Sequence, residues 1–312
     1  MDRDDVIALL ARHGLEPRKV LGQNFVVDNQ VIESIIELAG IDHESSVLEV
    51  GPGLGALTGA LATTARRVVA IEKDELLAPL VRDVVKVRSD DQAAGNSVVR
   101  NTGTGIVEAT AAWVGRTADV RVITADALEV DWSDVLDGEQ WTFVANLPYN
   151  VAVPIVMSIL RSAPMVTSGL VMVQQEVAER LAAQPGGKTI GVPSIQLAWY
   201  ADASVEMLIP PEVFHPVPNV SSALLSFRRH GAPSELIDAD QLMAVVSTAY
   251  RKRRKMLRSS LGGHADQAAF ESAGIEPTSR PENLSLSDWV RLTEVIAAKR
   301  RNSDDPITGA ET

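Results

Sequence analysis

Residues 47 to 72 constrain the fold of this chain more than any other stretch. A β-rich run, Val47 to Val50, opens into Gly51-Pro52-Gly53-Leu54-Gly55. A helical pattern then occupies Leu57 to Ala65, a second β run spans Val68 to Ile71 and ends at Glu72, and a helix is expected from Asp74 to Val87. Short β runs alternating with helix-length segments predict a parallel sheet with helices on both faces, an α/β fold. Further β runs at Val120 to Ile123, Thr142 to Ala145 and Gly169 to Val173, one within Ser194 to Ile209, and a last at Ser222 to Phe227 continue that sheet.

The segments on either side complete the expected organisation. Arg3 to His13 has apolar positions at helical spacing and ends at Gly14. Leu21-Gly22-Gln23-Asn24-Phe25 reads as a polar turn with a buried-type aromatic. Asp28 is placed to cap a helix whose apolar face is Val31, Ile32, Ile35, Ile36 and Ala39. From Arg88 to Asp119 the periodicity dissolves into small and polar residues, apart from a short helix expected around Val107 to Val114. This is read as a surface insertion, partly mobile. Arg229 to Asp240 reads as a joint, and after it only helical patterns remain, at Gln241 to Arg258, Ala265 to Ala273 and Leu286 to Ala298. The expected division is a first domain over 1–230, a helical domain over 231–300 and a disordered tail over 301–312.

Composition excludes several classes. There is no Cys, hence no disulfide framework, and the five His (His13, His43, His215, His230, His264) show no pair at metal-ligand spacing, so no metal site is expected. No apolar stretch approaches 18 residues and the amino terminus lacks a signal-peptide core, which predicts a soluble, cytoplasmic protein. No exposed apolar helix face stands out, which predicts a monomer. The net charge of −12 argues weakly against a nucleic-acid partner, but phosphate contacts need only a local basic face. Arg251, Lys252, Arg253, Arg254, Lys255 and Arg258 supply one, six cations within nine residues and no acid. Taken blandly, the run is a solvated helix face.

Three motifs carry chemistry. A glycine-rich turn after a first strand lets a ligand approach the backbone and presents the free N–H groups of the next helix. Gly51, Gly53 and Ala56 satisfy the dinucleotide spacing and Glu72 lies where a ribose-binding acid belongs, but the same layout serves S-adenosylmethionine, and this motif alone does not choose. Asp126 ends the next strand in a similar way; a carboxylate there can accept from an adenine amino group, or be a turn residue. Asn146-Leu147-Pro148-Tyr149 decides between the cofactors. Hydride transfer gives no reason for an amide, a proline and an aromatic in sequence, whereas methylation of a planar exocyclic amine does. The amide oxygen and a turn carbonyl can accept that amine's two hydrogens and favour a more pyramidal, nucleophilic nitrogen. Tyr149 can stack on the base, worth about 1–3 kcal/mol in single-strand binders, and a paired base would first be flipped out. As packing alone, the tetrapeptide is an ordinary β-turn.

With these residues in place the sequence resembles the rRNA adenine N6,N6-dimethyltransferase family, most closely its bacterial small-subunit branch. The matching pieces run in order: Leu21 to Phe25, Leu48 to Thr58, Ile71 to Asp74, Asp126 to Leu128, Asn146 to Asn150, Gln174 to Leu181, Phe214 to Ser222 and Arg251 to Ser260. The resemblance implies a Rossmann-like class I methyltransferase domain with a small C-terminal all-helical domain. It also implies S-adenosylmethionine as methyl donor and dimethylation of two adjacent adenosines in a hairpin near the 3′ end of small-subunit rRNA. By position, Asn24, Val26, Gly51, Gly53, Glu72, Asp126 and Asn146 would hold the cofactor, with Asn146, Leu147, Pro148 and Tyr149 at the target base. The basic run would contact RNA in an assembling subunit. Val26 stands where the family usually has Leu, and Ala125 where Gly is common. Glu72 and Asp126 are 54 positions apart, roughly twice the spacing the resemblance leads one to expect, in keeping with an insertion between them. Rival readings are a large-subunit rRNA methyltransferase conferring antibiotic resistance, an assembly factor whose binding outweighs its catalysis, and a nicotinamide dehydrogenase.

Overall fold

In the computed structural model of the 312-residue chain the backbone is described over residues 1–18, 21–90, 97–101, 107–111 and 118–304, and side chains over 1–18, 21–85 and 118–301. The chain forms two compact units, one of Met1–Ala178 with Ala203–Arg229 and one of Glu179–Asp202 with His230–Thr312. The second unit thus also takes Glu179–Asp202, inside the span expected for the first.

The elements of the chain up to the last strand are α1 (Arg3–Arg12), β1 (Phe25–Val26), α2 (Asn29–Leu38), β2 (Ser46–Val50), α3 (Ala56–Thr64), β3 (Arg67–Glu72), α4 (Ala78–Asp90), β4 (Ser97–Asn101), β5 (Val107–Ala111), β6 (Asp119–Thr124), α5 (Trp132–Val135), β7 (Trp141–Asn146), α6 (Ala152–Ser162), β8 (Val166–Gln174), α7 (Gln175–Leu181), α8 (Val192–Tyr200), β9 (Ala201–Ile209), β10 (Phe214–His215) and β11 (Ser222–Arg229). Nine strands form one sheet in the order β4-β5-β6-β3-β2-β7-β8-β11-β9, while β1 and β10 pair separately. β6, β3, β2, β7 and β8 are parallel, and β11 runs antiparallel to β8. From β2 the chain winds outward through β3 and β6, then returns to β7 and winds the other way. The order therefore reverses between β2 and β7, and at such a switch point the carboxyl ends of the strands leave a crevice for ligands.

Burial explains the strand composition. Every residue of β2 is buried, as expected of a central parallel strand covered on both faces. Ile32 and Ile35 of α2, Leu57 and Leu61 of α3 and Val81 of α4 pack with Val47, Val68 and Val120 in one core. Each such aliphatic side chain contributes about 1.5–3 kcal/mol by burial. Asp28 caps α2 as its position predicts, accepting from the N–H groups of Gln30 and Val31.

Three expectations are corrected. Val107 to Val114 was expected to contain a short helix, but Val107–Ala111 is a strand, paired antiparallel with β4 on one side and β6 on the other. The backbone groups on the open edge of β6 are satisfied by this hairpin, and that pairing outweighs a weak local helical pattern. The expected mobility of the insertion concerns segments that lie in part outside the described residues. The second correction concerns the basic run. In the second unit α9 (Ala239–Tyr250) stops at Tyr250, and Arg251 to Lys255 form successive turns before α10 (Leu257–Ser260). A continuous helix would stack like charges one turn apart, Arg251 against Arg254 and Lys255, and Arg254 and Lys255 against Arg258. Instead the chain bends, the N–H groups of Leu257 and Arg258 bond Ser279 and Pro277 carbonyls, and Leu257 and Leu261 enter the core fully buried. Third, after α11 (Gln267–Ala273), α12 (Leu286–Asp304) continues four residues beyond the expected end of the helical domain. The rest of the expected tail lies outside the described residues.

The second unit has its own core of Trp199, Leu242, Val246, Leu257, Phe270 and Trp289. Among the described residues no helix is long and apolar enough to cross a membrane.

Candidate active site

A cavity of about 320 Å³ lies at the carboxyl ends of the central strands of the first unit. Asn24, Val26, Gly51, Gly53, Glu72, Asp126, Asn146, Leu147, Pro148 and Tyr149, expected to act together on sequence grounds, all line it. They arrive from the β1 segment and from the ends of β2, β3, β6 and β7, so the topology gathers residues more than 120 positions apart.

The loop after β2 is held in the left-handed region at Gly51 (φ 73°) and Gly53 (φ 61°). There a β-carbon costs roughly 1–2 kcal/mol per residue. Gly53 is also tight, whereas Gly51 is at ordinary contact distance from its neighbour. A β-carbon on Gly51 would lie 3.4 Å from Cδ of Pro148, and one on Gly53 would lie 3.0 Å from the Phe25 ring. The glycine loop therefore packs directly on the Asn-Leu-Pro-Tyr turn.

Glu72 is nearly buried. Its carboxylate accepts the N–H groups of Gly53 at 3.0 Å and Asp74 at 2.8 Å. Burial pushes its pKa up to about 7; the backbone N–H groups oppose the shift and the Asp74 charge adds to it. One strand away, Glu49 is only 1% exposed, and its Oε2 has no hydrogen-bond partner among the described residues. Burial, opposed by the nearby Thr58 hydroxyl and aided by the charge of Glu72, pushes Glu49 up to about 8. Sequence reading assigned Glu49 no role. The signal was present, since it is the lone acid in an otherwise buried strand of a parallel sheet. Asp126 differs. Its Oδ2 accepts from Lys73 Nζ at 2.5 Å and its Oδ1 from the N–H of Leu128 at 3.0 Å. Lys73 foremost, and that N–H, hold it below the usual carboxylate range. Asp126 is thus both a turn residue and a cavity-lining one.

On the other side of the cavity, Asn146 Nδ2 donates to the backbone carbonyl of Asn24 at 2.9 Å. A carbonyl only accepts, so this contact fixes which end of the amide is nitrogen and turns Oδ1 away from Asn24. Leu147 is buried and its N–H extends the strand by bonding Met172 O at 3.0 Å, while the Pro148 carbonyl accepts from Val151 N–H at 3.1 Å at the start of α6. The Tyr149 hydroxyl shares a 2.7 Å hydrogen bond with Ser222 Oγ, and burial raises the phenol pKa. The segment before β1 also reaches the cofactor side, since Gln23 Nε2 donates to Asp74 Oδ2 at 3.0 Å.

In the second unit Arg251, Lys252, Arg253, Arg254, Lys255 and Arg258 are all exposed. Arg253 is additionally tied to its own unit, donating to the Lys188 carbonyl at 2.8 Å and lying 3.9 Å from Glu282.

Solved structures share this architecture. A dimethyladenosine transferase from Plasmodium falciparum superposes with a TM-score of 0.68 at 18% identity, covering 86% of this chain and 95% of that one. The 23S rRNA methyltransferase ErmE superposes with a TM-score of 0.62 at 23% identity, covering 88% of this chain and 100% of that one. The fold is that of the Rossmann-like class I methyltransferases, with a C-terminal helical region. The family model for ribosomal RNA adenine dimethylase matches residues 14–93 and 104–298, and a relative from Thermobifida fusca (strain YX), a ribosomal RNA small subunit methyltransferase A, is 42% identical over 295 residues, covering 93% of this chain and 94% of its own. The chain belongs to the ribosomal RNA adenine dimethylase family.

Proposed function

We propose that the chain uses S-adenosylmethionine to dimethylate the N6 amines of two adjacent adenosines in small-subunit rRNA. The substrate would be an assembling subunit in the cytoplasm, and the enzyme would act as a monomer. The observation that carries the reading is the orientation of Asn146: with Nδ2 committed to Asn24 O, Oδ1 is the end that can accept from an incoming amine. The small-subunit target rests on the relatives, which are named as small-subunit enzymes.

The residues of the cavity fit the donor. Glu72 accepts two backbone N–H groups and keeps further acceptor capacity for ribose hydroxyls. The left-handed turn at Gly51 would let the amino-acid portion approach the backbone, and the ionised Asp126 suits an adenine amino group. When bound, the cofactor supplies a methyl group activated by its sulfonium. The chain's own work is positioning. Asn146 Oδ1 and a turn carbonyl accept the two hydrogens of the target amine. We take that carbonyl to be Leu147's, since Pro148's already accepts one hydrogen bond from Val151 N–H. These acceptors favour a pyramidal nitrogen and stabilise the cation formed on attack. No strong base is required, because the proton leaves after transfer. Tyr149 offers a stacking face for the base. The exposed cations of the basic run bind phosphate, with an affinity that falls steeply as salt rises.

Labelled methyl transfer to unmodified small subunits, with the modified bases mapped, tests the proposal. The expected result is label on two adjacent adenosines near the 3′ end, lost with Asn146→Ala. Label on large-subunit RNA, or full transfer by Asn146→Ala, would overturn it.

A further inference from the structure

Tyr149 follows a strand end and belongs to a turn, so its ring would have rotational freedom if only its backbone were fixed. The structure removes that freedom at the far end of the ring. The hydroxyl meets Ser222 Oγ at 2.7 Å, and Ser222 is fully buried at the first position of β11. Ser222 is itself immobilised. It stands opposite Gln174 in the β8–β11 ladder, and the adjacent Ser221 carbonyl accepts the N–H of Gln175 at 3.0 Å. In the sheet β8 lies between β7 and β11. The hydrogen bond therefore spans one strand and ties the turn that follows β7 to the rigid start of β11.

An aromatic with a polar tip can be held by that tip while its faces stay available. A buried hydroxyl that already has a partner also avoids the cost of an unpaired polar group, so the same contact keeps Ser222 satisfied. Were satisfaction of Ser222 its whole purpose, any nearby acceptor or donor would serve. Here the partner is the one aromatic of the Asn-Leu-Pro-Tyr turn, at the cavity wall beside Asn146.

We infer that Ser222 is a positioning residue for methyl transfer: its hydroxyl clamps the Tyr149 ring so that the target base stacks at a fixed height against the wall of the cavity beside Asn146. The inference rests on the reading of Tyr149 as the stacking face. Loss of the clamp is expected to leave the cofactor side intact, because the hydrogen bonds of Glu72 and Asp126 run to Gly53, Asp74, Lys73 and Leu128 and not through Tyr149 or Ser222. Each adenosine receives two methyl groups, so a looser ring affects two successive alignments.

The test uses Ser222→Ala, Tyr149→Phe, their double variant and Tyr149→Ala, each assayed by single-turnover methyl transfer to unmodified small subunits. Cofactor dissociation constant, thermal midpoint and the ratio of monomethyl to dimethyl adenosine are measured alongside. A hydrogen bond of ordinary net strength predicts a rate loss of about 3–10-fold in Ser222→Ala and in Tyr149→Phe. The double variant is expected to lose no more than either single variant, as residues acting through one bond do. The monomethyl share rises, while the cofactor dissociation constant is unchanged. Tyr149→Ala is expected to lose more than any of these. Full rate and unchanged product ratio in both Ser222→Ala and Tyr149→Phe, with Tyr149→Ala impaired, would overturn the role of Ser222 alone. Full rate in Tyr149→Ala would overturn the stacking reading beneath it. A fall in thermal midpoint with unchanged rate and ratio would mark Ser222 as structural and equally end the proposal.

Discussion

Glu49 makes a quantitative prediction about pH and stability. Its carboxyl is held in β2 with one oxygen unpartnered, and its pKa rises from 4.5 to about 8. An unfolded chain gives up this proton near 4.5, whereas the folded chain keeps it until about 8. Between those values the folded state binds the extra proton, so stability falls as pH rises, by about 1.4 kcal/mol per pH unit. The full difference is about 5 kcal/mol, present as a penalty above pH 8 and absent below pH 4.5. That is comparable to the whole stability of many domains. Glu49→Gln has nearly the same shape and cannot ionise. Its stability relative to the parent is expected to differ by no more than about 1 kcal/mol at pH 5 and to grow to several kcal/mol in its favour at pH 8.5. The assay is urea unfolding without cofactor at both pH values. Pulsed hydrogen exchange on peptides covering β2 and β3 follows the first unit's own transition. A difference that does not change with pH, or a variant less stable at pH 8.5, would refute the reasoning.

Other perturbations follow from the same geometry. Asn146→Ala removes the oriented acceptor and is expected to lower single-turnover methyl transfer by at least about 100-fold, with the thermal midpoint retained. Gly53→Ala forces a β-carbon into the left-handed region and to within 3.0 Å of the Phe25 ring. It should lower the thermal midpoint and weaken cofactor binding by calorimetry, and trimming Phe25 to Leu alongside should recover part of both. Glu72 titrates at about 7, and ribose hydroxyls donate best to its ionised form, so cofactor affinity should rise between pH 6 and 8 in the parent and stay weak and flat in Glu72→Gln. In the basic run, replacing Arg251, Lys252, Arg254 or Lys255 with Ala should each reduce the salt slope of subunit binding by about 0.7–0.9. Arg253→Ala should instead mainly destabilise the second unit, since its guanidinium bonds the Lys188 carbonyl.

What the sequence revealed and what it hid have physical causes. The strand–glycine loop–helix unit was legible because β2 and β3 are covered on both faces and are therefore dominated by buried aliphatic residues, Glu49 excepted. The strand-end residues were legible because a doubly wound topology leaves one edge where ligands can sit, and Gly51, Glu72, Asp126 and Asn146 each end or follow a β run. The strand Val107–Ala111 was hidden because its identity depends on a partner, the free edge of β6. The end of α9 at Tyr250 was hidden because Arg251 to Lys255 have good helix propensity. The bend comes from Leu257 and Leu261 reaching a core built from distant segments. Ser222 and the Asn24 carbonyl were invisible for a related reason. Their partners, Tyr149 and Asn146, are 73 and 122 positions away.

The segment before β1 shows how these distant contacts combine. Gln23 bonds Asp74, whose N–H bonds Glu72, and the next residue, Asn24, offers the carbonyl that orients Asn146. Two consecutive residues thus reach, one through Asp74 and one directly, the acid proposed to hold the ribose and the amide proposed to receive the target amine. Phe25 follows, its ring filling the space that Gly53 leaves by lacking a β-carbon, and Val26 pairs with Phe214 of β10. A displacement of this strand by a few tenths of an ångström would therefore act on both halves of the site at once. Rate and cofactor affinity should fall together in variants of Gln23 or Phe25, whereas variants of Ser222 separate the two. That contrast, measured in one series of single-turnover and binding experiments, distinguishes a strand that couples donor to acceptor from a clamp that serves the acceptor alone.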